Sequence, residues 1–179
     1  MVKRIESSIT VELIESDDTM HRYVLHKLWD DQKPCCTIIT LYPGSAELVV
    51  LDTTQMLLTN NLHSRGYGGY YSVNLFSKLG LSERDRREIS NATDRENDKA
   101  ILTCAKKSSE IIFAWGSLPN TNAMVKKRVD ELLSKLHTQL HKCYYLTNAE
   151  GENYYHPLAT SVRYDWNLLK CNVDIDDVT

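Results

Sequence analysis

The residues that could do chemistry fall into a few short clusters. The loop Tyr42-Pro43-Gly44-Ser45-Ala46 sets a phenol and a hydroxyl around two turn-forming residues. Asp52, Glu96 and His156 could each serve as a general acid or base. Asn74 offers an amide that both donates and accepts, Phe76 follows it closely, and Trp115-Gly116 sets a flat apolar face beside a permissive residue. The bland alternatives are equally physical. Tyr42 could cap the core, Trp115 could pack within it, and Asp52 could be no more than a helix N-cap. Glu96 and Asp98 suit the start of a helix. Lys126-Lys127-Arg128 could contact phosphates or be a solvated helix face. Tyrosines at 67, 70, 71, 144, 145, 154 and 155 could stack on bases or pack in strands.

Several reaction classes lack their signature. No dinucleotide fingerprint, Walker loop, nucleophile elbow or HExxH helix occurs. The six histidines are scattered. His137 and His141, four apart on a helix, could share a metal, but no third ligand stands near them, so neither a metal nor a cofactor is expected. The five cysteines, Cys35, Cys36, Cys104, Cys143 and Cys171, are odd in number and form no CxxC pair, so they read as reduced thiols. The formal net charge is −3, whereas proteins that grip nucleic acid through phosphates are usually basic. Any nucleic-acid contact must therefore rest on a local patch or a fitted pocket. Met1 to Glu6 lacks a signal peptide's apolar stretch, and no apolar run nears the ~20 residues that span a membrane. A cytoplasmic location is expected.

These residues must be positioned by a scaffold, and 179 residues of which 42% are hydrophobic suffice for a single domain over 1–179. Ile9 to Ile14 alternates, Glu15-Ser16-Asp17-Asp18 turns, and Arg22 to Trp29 alternates again, which predicts a β-hairpin extension over residues 1–31. An α/β core follows over 35–170. Cys35 to Leu41, Tyr70 to Phe76, Glu110 to Trp115 and Lys142 to Thr147 read as buried strands. Asp52-Thr53-Thr54 starts one helix, Asn97 to Lys107 forms another, and Met124 to His141 is the clearest amphipathic one. The stretch from Ser82 to Asp98 is a polar connection, and residues 171–179 form a frayed acidic tail. Strands alternating with helices predict a three-layer αβα fold around a mostly parallel four-stranded sheet. Ligands bind beyond the carboxyl ends of such strands. The rim thus collects Tyr42 to Ala46, Asn74 to Phe76, Trp115-Gly116 and His156-Pro157.

In that order the rim resembles the uracil-DNA glycosylase superfamily. Its first core strand ends in a Pro-containing loop, with an acidic or amide residue before the Pro that handles the attacking water. The mismatch-specific branch has Gly-x-Asn-Pro-Gly where this chain has Thr40-Leu41-Tyr42-Pro43-Gly44. The resemblance implies that Asn74 reads a base edge. It implies that the loop from His156-Pro157 to Ser161 faces a base carbonyl and enters a DNA groove. A closer resemblance is to a bacterial family called domain of unknown function 1643, often found on mobile elements. It is carried by Arg22-Tyr23-x-Leu25 with Trp29, Pro43 with Ser45-Ala46, Asp52 with Thr54, Asn74-Leu75-Phe76, Glu96-Asn97-Asp98, Trp115-Gly116 and His156-Pro157. That family usually has Asn-Pro-Ser where Tyr42-Pro43-Gly44 stands here.

The departure at Tyr42 sets the functional expectation. A phenol is a poor base at neutral pH, and its bulk occupies space that a flipped base needs. The expected protein is a glycosylase-fold pseudoenzyme with a degenerate site at Tyr42, Asp52 and His156. It would lack uracil excision and keep a nucleobase, nucleic-acid or protein-partner surface. The expected ligand-binding set is Tyr42, Pro43, Gly44, Ser45, Asn74, Phe76, Trp115, His156 and Pro157, with Lys126, Lys127, Arg128 and Ser161 as nucleic-acid contacts. The alternatives are an enzyme on another nucleotide or modified base that uses His156, Asp52 or Glu96, and a non-catalytic interaction module.

Overall fold

The computed structural model describes residues 2–81, 92–151 and 154–171. The strands are β1 (Thr10–Glu15), β2 (Arg22–Leu28), β3 (Cys35–Thr40), β4 (Gly69–Asn74), β5 (Glu110–Phe113), β6 (Cys143–Thr147) and β7 (Asn167–Lys170). The helices are α1 (Thr53–Ser64), α2 (Arg95–Lys107) and α3 (Ala123–Lys135), with 3-10 turns at Leu118–Asn120 and His137–Lys142. The strands form one seven-stranded mixed sheet in the order β1-β2-β4-β3-β5-β6-β7. Its centre is parallel: β3 lies between β4 and β5, and β6 continues beyond β5.

The centre forms because β3 is apolar or β-branched throughout and buried from Cys36 to Thr40. Side chains alternate across a strand, so each central strand feeds two cores. Cys36 and Ile38 join Tyr70, Ile112 and Leu146 with Leu58 and Leu62 of α1. Ile39 and Leu41 join Val73, Phe113 and Trp115 with Ile101 and Ala105 of α2 and Val129 and Leu132 of α3. The α1 helix is capped by Asp52, whose side chain accepts from the Gln55 N–H, and α2 is capped in the same way by Asp94.

Three expectations need correction. The N-terminal β1-β2 hairpin forms as expected, but the sheet it joins is mixed and has seven strands rather than four. β2 pairs antiparallel with β4, with Leu25 opposite Ser72, so the hairpin is the margin of a larger mixed sheet. Burial explains this, because Tyr23, Val24 and Leu25 are all buried and need covering on both faces. The seventh strand, β7, pairs antiparallel with β6 and has no alternation to announce it. The long amphipathic helix ends at Lys135, where Leu136 leaves helical geometry (φ −88, ψ 4). A 3-10 turn then carries Leu140 against the core. Most of the polar connection and the acidic tail from 172 onward lie outside the described residues.

Candidate functional site

The chain runs from β3 to β4 on one side, then crosses back to β5 on the other. Such a reversal opens a crevice beyond the strand ends. Leu41 and Tyr42 follow β3, Trp115 and Gly116 follow β5, and between them lies a cavity of about 530 Å³. His156, Leu158 and Tyr154, from the segment after β6, complete its wall. A smaller hollow of about 210 Å³ adjoins it on the α1 side, lined by Arg22, Thr40, Asp52 and Gln55 among others. Tyr42, His156 and Leu158 line both spaces and so stand between them. A third hollow of about 390 Å³ shares Trp115, Gly116 and Tyr154 with the first. The rim therefore carries three adjoining spaces. A further hollow of about 490 Å³ beside Trp29 and His63 contains none of the candidate residues.

Aromatic rings line much of the groove. The Tyr42 ring stacks on Phe76 with centroids 5.5 Å apart, which fixes it between the two cavities. Trp115 stacks on Phe113 at 4.5 Å, and Tyr145 stacks on Tyr154 at 4.1 Å.

Two glycines shape the rim, one through a close approach and one through its backbone angle. A Cβ on Gly44 would overlap Oδ2 of Asp52. Gly116 takes φ +78 and would place a Cβ 3.5 Å from that of His156. Gly44→Ala is therefore expected to push Asp52 off its cap and cost about 1 kcal/mol of stability. Urea unfolding checks this, because loss of the cap lowers the midpoint without changing the slope.

His156 is held in one tautomer. Its Nδ1 accepts the Leu158 N–H at 3.2 Å, so the proton of the neutral ring sits on Nε2. Burial pulls its pKa from 6.5 down to about 4, and the nearby charge of Asp52 opposes that only in part. At neutral pH His156 is thus an uncharged donor. The folded state binds this proton less readily than the unfolded chain does. The stability that the neutral ring contributes is complete above pH 6.5 and is lost as pH falls through 4. Between pH 7 and 4 stability should drop by about 1 to 3 kcal/mol from this group. His156→Asn should flatten that part of the pH profile measured by urea unfolding.

Behind the rim lies a buried polar network. The Arg22 guanidinium donates to the Ser45 carbonyl at 2.5 Å and to Oδ1 of Asn74 at 2.9 Å. The Asn74 Nδ2 donates to Oγ1 of Thr40 at 2.6 Å. Asn97 donates to the carbonyls of Asn74 and Leu75, and Arg128 Nε also donates to Leu75 at 2.9 Å. Asp98 holds Arg128 at 2.6 Å and also pairs with Lys135. The network clamps the end of β4 and the loop after β3 in place.

The structure thus brings together Tyr42, Pro43, Gly44, Asp52 and His156 around the smaller hollow, and Tyr42, Trp115 and His156 around the larger. Ser45 takes part through its carbonyl, and Phe76 through the ring of Tyr42. Pro157 is buried and lines neither space. Asn74 is fully buried with both ends of its amide bonded inside the protein, so it supports the rim rather than facing a ligand. Arg128 likewise turns inward and is not available to a phosphate. Lys126 and Lys127 are exposed but pair with Asp130 and Glu131. Ser161 is exposed, and Glu96 pairs with Lys99 on the surface.

Two residues of the smaller hollow escape sequence reasoning. Arg22 enters only as part of a family pattern. Gln55 stands three residues after the N-cap, where a capping-box glutamine would be read as structural, yet neither end of its buried amide has a partner. Among the described residues no cluster of His, Cys, Asp or Glu could hold a metal ion, and no helix is long and apolar enough to cross a membrane.

Comparison with known proteins gives one relationship. The family model described as a protein of unknown function, DUF1643, matches residues 22–158. No curated protein and no solved structure matches the chain.

Proposed function

The chain belongs to the DUF1643 family, and from the chemistry of its rim we propose that it binds a nucleobase-bearing ligand on a uracil-DNA-glycosylase-like αβα fold without excising uracil. The observation that carries this is Tyr42, which forms one wall of both cavities at the β3 end. An excising enzyme needs a group there that positions and polarises water. A phenol locked on Phe76 instead offers a stacking face. Trp115 and Tyr154 supply further aromatic surface, and the neutral Nε2–H of His156 can donate to a ring carbonyl without a buried charge. A small ligand suits the rim better than a long polymer, because the only basic run of α3 is neutralised or buried.

Titration with nucleosides, followed by tryptophan fluorescence, tests the proposal. Binding should quench emission, and Trp115→Phe should remove most of the change while Trp29 and Trp166 remain. No response to any purine or pyrimidine nucleoside at millimolar concentration would sink it. A protein-partner surface is the second reading, favoured by Leu48, Val49, Val50 and Leu51. These are four consecutive exposed aliphatics in the loop between β3 and α1.

A further inference from the structure

The smaller hollow carries buried polar groups that the protein itself does not satisfy. Arg22 is 3% exposed, and among the described residues it forms no ion pair. Its Nη atoms are engaged by Ser45, Ser72 and Asn74, whereas its Nε has no partner. Gln55 is 2% exposed, and its Nε2 and Oε1 are both unbonded. Lys27, also on β2 and 2% exposed, has its pKa lowered by burial, with the charge of Asp52 opposing. Lys27 does not line the hollow, whereas Arg22 shares it with the carboxylate of Asp52. That carboxylate is already tied down, with Oδ1 accepting the Gln55 N–H at 2.7 Å and Oδ2 lying against Gly44. The same hollow receives the N-terminal turn of the 12-residue α1 through Thr54 and Gln55, so the helix dipole adds positive potential.

A buried cation with an unbonded donor is costly, and an unbonded buried amide adds to the cost. An anion seated in the hollow would relieve both, with Arg22 Nε and Gln55 Nε2 as charge-assisted donors. We propose that the hollow is an anion subsite for a phosphate group, so that the protein prefers a nucleoside monophosphate to a nucleoside. This rests on the nucleobase reading of the main cavity. Since Tyr42, His156 and Leu158 line both spaces, one ligand can place its base on one side of them and its phosphate on the other.

Calorimetric titration of uridine and adenosine, their 5′-monophosphates and inorganic phosphate tests this on the unaltered protein. The monophosphates should bind at least about tenfold more tightly than the nucleosides, and phosphate alone should raise the melting temperature. Gln55→Glu sets a carboxylate beside Arg22. It should cancel both effects. Equal affinities for nucleoside and nucleotide, with no thermal shift by phosphate, would overturn the subsite and leave the nucleobase reading standing. Stabilisation by phosphate without binding of any nucleoside would support the subsite and overturn that reading. Should Gln55→Glu fail to fold, the ligand series on the unaltered protein still decides between these outcomes.

Discussion

Uracil-containing single-stranded DNA incubated with the purified protein is expected to yield no free uracil, and Tyr42→Asn is expected to produce some. Excision develops positive charge on the sugar and consumes a water. The group before Pro43 must therefore accept a hydrogen bond from water and tolerate that charge beside it. Tyr42 does neither well, because a phenol is a poor base at neutral pH. The Phe76 stack also holds the ring in the wall between the two cavities. Asparagine removes the bulk and supplies an amide oxygen in its place. Positioned general-base assistance is worth about 10² to 10⁴ in rate, so the variant should exceed the parent by at least about 10²-fold if water handling alone is missing. Alkaline cleavage of labelled strands measures both proteins. Robust cleavage by the parent would overturn the proposed loss of activity. Silence from both would mean that the rim differs from an excising one at more than Tyr42.

Asp98→Ala should give the largest loss of stability, about 3 to 5 kcal/mol. Arg128 is 5% exposed, and its charge is held at 2.6 Å by Asp98. Removing the carboxylate leaves a buried cation that, among the described residues, keeps a bond only to the Leu75 carbonyl. Asp98 also pairs with Lys135, but that side chain reaches solvent and can rehydrate. The double change Asp98→Ala with Arg128→Met should recover most of the loss, because no buried charge is then stranded. Urea unfolding of the two single variants and the double variant gives the coupling. A single Asp98→Ala loss below about 1 kcal/mol would show that the pair behaves as a surface bridge. A less firmly held Arg128 should also loosen its grip on the Leu75 carbonyl, and with it Phe76 and Tyr42, so the same variant should weaken any ligand bound at the rim.

Much of the scaffold is legible in local sequence. The buried runs at Cys35, Tyr70, Glu110 and Lys142 become the four parallel strands within one or two residues at either end. Asp52 caps α1 as its type and position indicate. These features depend on neighbours a few residues away, which the chain itself displays. The candidate site is legible only in part. Tyr42, Trp115 and His156 are found because they follow strands, and parallel strands must deliver their ends to one rim.

What tertiary structure alone decides is the partner of each side chain. Asn74 and Arg128 look from sequence like groups facing a ligand or a phosphate. The fold turns both inward, where each binds residues 30 or more positions away. Gln55 looks like a capping residue and is left unbonded in a cavity. The hairpin joins the sheet because β4 presents an open edge, a fact no local pattern contains. The sequence by itself determined most of the elements, the order of strand ends and the departure at Tyr42, since propensity and burial pattern are local. Which polar groups are satisfied and which are left without a partner was settled by packing, since buried hydrogen bonds are completed across the fold.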